Sequence, residues 1–263
     1  MNSSNVLVVN CGSSSVKFEL ITLPSETVLT SGQRDRVGIP GGEWANHLAA
    51  IADIINSLPT DVRVDIVGHR VVHGGARFTS PALIDERVLA GIQQVSPLAP
   101  LHNPANLQGI EAVTAVMPGV PQVAVFDTAF FATLPSAAYD YALPRDLVHD
   151  YGIRKYGFHG TSHHYVNSRL LEREPDRGHP LRVVSLHLGN GSSVAAVKGG
   201  VALDTSMGFT PLAGLVMGTR SGDLDPSIPL LLQEKLDKSA AQVDDLLNSQ
   251  SGLLGLTEHS DMR

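Results

Sequence analysis

The 263-residue sequence contains a single cysteine, Cys11, so no disulfide can form within the chain. One cysteine suits a reducing compartment, which predicts a cytoplasmic location. Because Cys11 directly follows an apolar run, we interpret it as a small buried core residue. The N-terminus leads straight into a predicted strand, so we expect no signal peptide.

Positive charge and long apolar runs are also scarce. The net charge is −7 at pH 7, which argues against a nucleic-acid-binding surface. No apolar run is long enough to cross a bilayer, so no membrane partner is expected. The sequence is 43% hydrophobic and 17% charged, as in globular α/β proteins, and its length favours two domains.

Two common catalytic motifs are missing. The sequence has no Gly-x-x-x-x-Gly-Lys-Ser/Thr motif, which excludes a P-loop enzyme, and no Gly-x-Ser-x-Gly nucleophile elbow. A different small-residue turn is present instead. Residues 181–186 form an apolar run, predicted as a buried strand, which breaks at residues 189–193 and resumes at 194–197. This pattern predicts a hairpin whose glycines expose amide groups that could converge on a phosphate.

The same pattern occurs near the N-terminus. The apolar run 6–9 is followed by small polar residues at 10–15 and a second apolar run at 16–20. Superposing Ser15 on Ser193 aligns the two segments, which indicates an internal duplication. Two phosphate-binding hairpins, with Lys17 beside the first, would then face each other across a cleft. Two ordinary Gly/Ser turns are the alternative.

Charged residues within apolar or glycine-rich surroundings are further candidates. Arg70 lies in an apolar strand and needs an anionic partner, either a ligand or a structural salt bridge. Asp127 ends the predicted strand 120–126, where it could bind Mg²⁺, act as a base, or only cap a turn. Arg220 lies between Gly218 and Gly222, where the backbone can closely approach a ligand.

His159 and His163 are four residues apart, as in zinc sites, but no glutamate lies between them and no third ligand is evident. We therefore interpret His159 as a polar residue lining a site, or as a structural hydrogen-bonding histidine.

Helical spacing predicts helices over 43–57, from Pro104 to Met117, and over a segment that follows His164 and ends near Arg173. Capping residues predict two more helices. Asp225 caps one, with Pro226 at its first position, and a Ser239–Gln242 capping box starts the other.

The candidate residues together fit phosphoryl transfer, in which the protein mainly positions groups and neutralises charge. Arginines could clamp an anionic acceptor, while carboxylate and amide oxygens could hold Mg²⁺. The set comprises Asn10, Lys17, Arg70, Asp127, His159 and Arg220.

These residues lie in segments that resemble the acetate kinase family, of the sugar kinase, actin and Hsp70-type ATPase superfamily. The matching segments are 10–18, 68–75, 98–104, 126–130, 156–163 and 187–220. The resemblance implies an α/β fold of two duplicated ribonuclease H-like domains around a nucleotide cleft. It places the first domain at 1–150 and the second at 151–263, with the second incomplete at its C-terminus.

The resemblance implies reversible, Mg²⁺-dependent transfer of the ATP γ-phosphate to acetate, which yields acetyl phosphate and ADP and feeds acetyl-CoA formation. It also implies a homodimer. A propionate or other short-chain carboxylate kinase is the alternative enzyme, and an inactive nucleotide-binding fragment is the alternative of another class.

The resemblance also assigns roles. Asn10 and Asp127 would hold the metal, and Asp127, His159, Arg220 and Arg70 would be catalytic. Arg70 would bind the substrate carboxylate, beside an apolar pocket for the methyl group. That pocket would consist of Val72, Leu101, Phe158 and Pro211. The nucleotide would contact Lys17, His187, Leu188, Gly189, Asn190, Gly191, Asp261, Met262 and Arg263.

The sequence departs from the family pattern at two places. Phe131 stands where a histidine usually follows the Phe-Asp-Thr-Ala-Phe run, which predicts a change of local packing. The chain also stops where family members continue. The absent part would supply a Gly-rich adenosine loop, a glutamate at the metal site and part of the dimer-forming half, so activity of this chain alone is left open.

Overall fold

The computed structural model describes residues 3–175 and 178–261. The chain divides into two compact units, Met1–Ala129 and Phe130–Arg263, and each is described here by itself. Both units are mixed α/β, as predicted. The division at residue 150 into ribonuclease H-like domains stays a prediction.

Unit 1 is built on a six-stranded sheet of order β3-β2-β1-β4-β6-β5. The strand β1 is antiparallel to β2 and parallel to β4, which is in turn parallel to β6. The elements in chain order are β1 (Ser4–Cys11), β2 (Ser15–Leu23), β3 (Thr27–Asp35), α1 (His47–Asn56), β4 (Ile66–Val71), β5 (Ala82–Leu83), α2 (Glu86–Val95), α3 (Asn103–Val116) and β6 (Gln122–Phe126).

Helix boundaries in unit 1 follow from capping. The Asn46 side chain accepts a hydrogen bond from the Ala49 amide at 2.9 Å, so α1 begins four residues later than the predicted 43. The buried positions of α1 include Ile51 and Ile54, which join Leu7 and Val113 in one apolar cluster. This packing holds β1 and α3 in place beneath the candidate site.

Unit 2 carries a three-stranded antiparallel sheet of order β7-β8-β9 with helices before and after it. Its elements are α4 (Ser136–Tyr139), α5 (Arg145–Asp150), α6 (Gly160–Arg173), β7 (Arg182–Leu188), β8 (Ser192–Lys198), β9 (Val201–Thr205), α7 (Ser227–Leu236), α8 (Ala240–Ser249) and α9 (Gly252–Thr257). The described parts of the chain, 3–175 and 178–261, contain no helix with the length and apolar character needed to cross a membrane.

Both predicted hairpins are present. The turn at 12–14 joins β1 to β2, and the turn at 189–191 joins β7 to β8. Each hairpin is followed by a third antiparallel strand, β3 or β9, with a register irregularity in the second strand pair. Both units therefore contain the same three-stranded meander, as the predicted duplication requires.

The strand predicted at residues 181–186 is present as β7, but the prediction that it is buried is wrong. Val184, Leu186 and Leu188 on β7 are 67%, 58% and 71% exposed, while Ser185 is buried. Within the described residues β7 pairs only with β8, and one face of the strand has no layer packed on it. An apolar run shows that a strand can be buried, but not whether another element covers it.

Two predicted helix starts in unit 2 can be compared with the structure. The capping box is confirmed, since the Ser239 amide donates to Gln242 Oε1 at 2.8 Å and the Gln242 amide donates to Ser239 Oγ at 3.3 Å. Helix α7 begins at Ser227, one residue later than predicted. Asp225 still stabilises this start, because its carboxylate accepts a hydrogen bond from the Ser227 amide at 2.8 Å.

Candidate active site

Arg70 and Asp127 form an ion pair in unit 1. Arg70 lies on β4 and Asp127 directly follows β6, the parallel neighbour of β4, so the two side chains meet at the carboxyl ends of the strands. Arg70 Nη2 donates to Asp127 Oδ2 at 2.6 Å, and Nε lies 3.1 Å from each carboxylate oxygen. The prediction that Arg70 needs an anionic partner is confirmed, and Asp127 is that partner.

The electrostatics of this pair follow from its burial. Asp127 is 1% exposed, and its own amide is fixed by a 3.0 Å hydrogen bond to the Val71 carbonyl. Burial by itself would lower the pKa of Arg70, but the charge and hydrogen bonds of Asp127 outweigh it and raise that pKa. The arginine therefore stays charged under all working conditions.

Asn10 and Lys17 lie on the neighbouring hairpin. They are paired across β1 and β2, and both line an open groove of about 480 Å³. Arg70 Nη1 lies 3.5 Å from Asn10 Oδ1, so this amide oxygen is at the same strand ends as Asp127. The structure thus brings Asn10, Arg70 and Asp127 together.

Two buried asparagines from α3 hold the chain after β4. Asn106 Oδ1 accepts from the Val72 amide at 3.1 Å, while Asn103 accepts from the His73 amide at 3.0 Å and donates to the His73 carbonyl at 2.9 Å. These bonds fix the backbone at Val72, which is buried, whereas Leu101 is 63% exposed. Sequence reasoning missed both asparagines, although each lies in the first turns of a helix that follows a proline-rich loop.

The candidate residues of unit 2 are grouped around His159. It adopts a left-handed conformation, φ 59° and ψ 21°, directly before α6. A Cβ atom added to Gly191 would lie 3.2 Å from Arg220 Nη1 and 3.5 Å from His159 Nε2. The imidazole edge and the guanidinium group therefore meet at the glycine turn of the second hairpin.

Arg220 is half-buried and has no carboxylate partner among the residues that the structure describes. Its Nη1 donates to the Pro211 carbonyl at 3.1 Å. Burial lowers the pKa of Arg220, although an arginine remains charged at neutral pH. An arginine without a paired carboxylate is suited to an anionic ligand.

A network of histidines and serines surrounds His159. Ser193 Oγ lies 2.9 Å from His159 Nδ1 and 2.8 Å from His163 Nε2, so it bridges the two rings. The rings of His159 and His187 are stacked, with centroids 4.0 Å apart. His187 Nδ1 lies 2.9 Å from Ser162 Oγ. Neither Ser193 nor the bridging role of His163 was identified from the sequence, although Ser193 aligns with Ser15 in the duplicated hairpin.

The second hairpin also borders a cavity of about 680 Å³ within unit 2. The Gly218 amide donates to the Asn190 carbonyl at 3.1 Å, and a side chain at Gly218 would overlap Asn190 Oδ1. The lining includes Leu188, Gly189, Asn190, Met217, Gly218 and Asp261. Four predicted nucleotide-binding residues therefore share one cavity. Met262 and Arg263 lie outside the described residues.

Phe158 and Phe131 are both buried next to this region. Phe158 is 1% exposed, and Phe131 is fully buried in the apolar cluster with Leu134 and Ala195. The Phe131 ring also meets His163 edge-on, with centroids 5.9 Å apart. The phenylalanine at 131 is therefore part of the local packing, as predicted.

No group of three or more His, Cys, Asp or Glu side chains within residues 3–175 and 178–261 could hold a metal ion. The available oxygen donors of unit 1 are instead the Asn10 amide and the Asp127 carboxylate, which lie near the same guanidinium group. In unit 2, His159, Arg220 and the glycine turn at Gly191 converge. Groups of these types are suited to phosphate chemistry.

Comparisons with known proteins identify the family. The Acetokinase family matches residues 5–263. The acetate kinase of Thermotoga maritima is 50% identical over 283 aligned residues, covering 98% of this chain and 70% of the relative. The chain belongs to the acetokinase family, and it spans about 70% of the length of this relative.

Solved structures confirm the fold. The crystal structure of Porphyromonas gingivalis acetate kinase matches with a TM-score of 0.91 and 44% identity, covering 98% of this chain and 71% of that chain. A propionate kinase from Francisella tularensis matches with a TM-score of 0.92 and 42% identity, covering 99% of this chain and 72% of that chain. The predicted α/β architecture of this family is therefore correct.

Proposed function

We propose that this chain catalyses reversible transfer of the ATP γ-phosphate to acetate, which gives acetyl phosphate and ADP. Membership of the acetokinase family is the observation that carries this proposal. The arrangement of charged groups supports it, because Arg220 and His159 meet at Gly191 and no carboxylate in the described part of the chain pairs with the arginine. Cationic and hydrogen-bond-donating groups are what a migrating phosphoryl group requires.

We assign nucleotide binding to unit 2. The 680 Å³ cavity has a size suited to a nucleoside, and the glycine turn lies at its edge, where the backbone can closely approach a phosphate. His187 and the residues of this turn would contact the phosphates. Arg220 and His159 would stabilise the charge that develops on the phosphoryl oxygens in the transition state. Met262 and Arg263 keep their proposed nucleotide contacts as expectations from the resemblance.

We assign binding of the phosphoryl acceptor, acetate, to Arg70 of unit 1. Arg70 would bind the carboxylate of acetate through the guanidinium face that Asp127 leaves available, since its side chain is 35% exposed. Asp127 would orient this arginine. Acetate is already ionised at neutral pH, so the transfer needs no general base and Asp127 has no proton to remove.

Mg²⁺ would be held by Asn10 and Asp127, with Lys17 nearby to contact phosphate. Carboxylate and amide oxygens suit this hard cation, which also keeps several waters and binds substrate phosphates. When bound, the ion would neutralise phosphate charge. The two oxygen donors lie close to the same guanidinium, which fits a site completed by nucleotide oxygens and water.

Val72, Leu101, Phe158 and Pro211 are proposed to select a short acceptor. Valine at position 72 would limit the methyl pocket and favour acetate, but one methylene is only weakly discriminated. The similarity to a propionate kinase structure supports propionate as the second candidate acceptor. We also infer a cytoplasmic location and a homodimer. Light scattering of the purified chain would test the homodimer.

A hydroxylamine trap tests the function. The purified chain with Mg²⁺, ATP and acetate should form acyl hydroxamate, and kcat/KM should fall from acetate to propionate to butyrate. Arg220→Ala should slow product formation by about 10²–10³-fold, whereas the exposed Arg169→Ala should not. A folded wild type that binds ATP but forms no hydroxamate from any of the three acids would contradict the enzyme and favour a nucleotide-binding protein.

A further inference from the structure

Ser193 contacts both histidines at the start of α6. Its side chain is fully buried on β8, and its single hydroxyl lies within hydrogen-bond distance of His159 Nδ1 and His163 Nε2. We propose that Ser193 is a positioning residue that fixes the ring orientation and tautomer of His159, so that Nε2 carries the proton at Gly191.

The number of available protons limits how this network can be arranged. A hydroxyl group has one proton, so Ser193 can donate to only one imidazole and accepts from the other. If His163 donates from Nε2, Ser193 donates to His159 Nδ1, and the proton of a neutral His159 lies on Nε2. In the reverse arrangement His159 donates from Nδ1, and its Nε2 is only an acceptor.

The far end of the network can complete the first arrangement. Ser185 Oγ, which is also buried, lies 3.0 Å from His163 Nδ1. When Ser185 donates to this nitrogen, the proton of His163 lies on Nε2 and is donated to Ser193. The order Ser185, His163, Ser193, His159 is then a continuous series of donors that ends with a donor at His159 Nε2.

The charged surroundings favour a neutral ring that still donates. Among the described residues, the titratable and charged groups near His159 include His163 through Ser193, the stacked His187, and Arg220 at Gly191. A further positive charge beside a guanidinium group is electrostatically unfavourable. Phosphoryl oxygens only accept hydrogen bonds, so a neutral His159 serves the proposed transfer only with its proton on Nε2.

The partner histidine is itself well fixed. Its ring meets the fully buried Phe131 edge-on, and its carbonyl accepts from Asn167 Nδ2 at 2.8 Å. His159 is different, because its left-handed backbone stands at the very start of α6. The hydrogen bond from Ser193 therefore connects His159, directly before α6, to a closely packed histidine within the helix.

Nitrogen NMR tests the tautomer without any need for activity. The chain has 11 histidines, so ¹⁵N-labelled imidazoles can be assigned to His159 by comparison with His159→Gln. At pH 8 we expect a protonated Nε2 and an unprotonated Nδ1 for His159. In Ser193→Ala the Nδ1 resonance should shift by loss of its donor. A wild-type His159 protonated on Nδ1 would overturn the inference.

The kinetic consequence rests on the proposed function. Ser193→Ala should lower kcat by about ten- to a hundredfold, less than deletion of a donor that touches the transition state, with KM for ATP and acetate changed less than about threefold. In this variant the neutral ring can turn, while an imidazolium donates from either nitrogen. The kcat of Ser193→Ala should therefore fall as pH rises and the imidazolium loses its proton, whereas the wild-type kcat stays level.

Two further variants separate positioning from folding. Ser193→Thr keeps the hydroxyl and should restore the level pH profile. Thr205→Val removes another buried hydroxyl from the same sheet, one that donates to the Val194 carbonyl at 3.1 Å, and should leave the profile unchanged. A level profile for Ser193→Ala would overturn the inference. If the wild type forms no acyl hydroxamate, the proposed function fails, and the NMR tautomer alone decides the role of Ser193.

Discussion

Arg70 contacts Asp127 through Nε and Nη2, and it does so from a neighbouring parallel strand while the carboxylate is 1% exposed. The two partners are unequal, because the arginine side chain is 35% exposed and the carboxylate is not. Loss of the arginine therefore leaves a buried negative charge, whereas loss of the carboxylate leaves a cation that water can reach.

The first prediction concerns this inequality. Arg70→Ala should lower the free energy of unfolding by about 2–3 kcal/mol, and Asp127→Asn by less, because the neutral amide needs no cation. Arg70→Lys should fall between them, since one ammonium cannot reproduce the two-nitrogen contact. Urea unfolding at pH 7 measures all three. Equal costs for Arg70→Ala and Asp127→Asn would contradict the asymmetry.

The second prediction concerns Arg220. Arg220→Ala should reduce kcat by about 10²–10³-fold, because a cation that stabilises the transition state is lost. Arg220→Lys should recover part of this loss, and added guanidinium ion should recover part of it for the alanine variant. Arg169→Ala is the matched control, since Arg169 is an exposed arginine paired with Glu172. A loss confined to KM for ATP would indicate ground-state binding instead.

The third prediction concerns two buried histidines of unit 1. Burial lowers the pKa of His69 to about 4 and that of His73 to about 4, from an ordinary value of 6.5. Below pH 6.5 the unfolded chain binds protons that the folded chain does not, so stability is lost as pH falls from 6.5 towards 4. At pH 5 the loss is about 2 kcal/mol for each histidine.

Urea midpoints at pH 5 and pH 7.5 measure this loss. His69→Gln can keep a hydrogen bond to Gln122, which His69 makes at 2.8 Å through Nε2, but it cannot titrate. The variant should therefore show a smaller difference between the two midpoints. An unchanged difference would mean that His69 does not contribute to the acid sensitivity.

The fourth prediction concerns close packing between β1 and α3. A Cβ atom at Gly109 would overlap the Sγ atom of the buried Cys11. Gly109→Ala should destabilise the chain by about 1–3 kcal/mol, although alanine is the better helix former. In a Cys11→Ala background the same change should cost much less or stabilise. Additive costs in this double-mutant cycle would rule out the contact as the cause.

Features that depend on interactions between residues close in sequence were predicted correctly. The Ser239–Gln242 capping box and both hairpin turns depend on residues a few positions apart, and the structure contains all three. The requirement of Arg70 for an anion was also evident, because an arginine flanked by apolar residues must be paired. The identity of its partner depends on strand order, which periodicity does not reveal.

The features that sequence reasoning missed depend on distant contacts. Ser193 matters because α6 brings His159 and His163 to β8, across separations of 34 and 30 residues. The exposure of β7 likewise depends on which element covers it, and not on its own residues. Asn103 and Asn106 lie beneath Val72 because α3 packs against the end of β4. None of these relations has a local signature.

The left-handed conformation of His159 means that thermal stability and catalytic activity favour different residues at this position. A non-glycine residue in this region costs about 1–2 kcal/mol, so a glycine here would relieve the helix start. A library of variants selected only for heat resistance should therefore enrich glycine at 159 and discard the imidazole that Arg220 meets at Gly191. Engineering for robustness should hold position 159 fixed and seek its gains elsewhere in the chain.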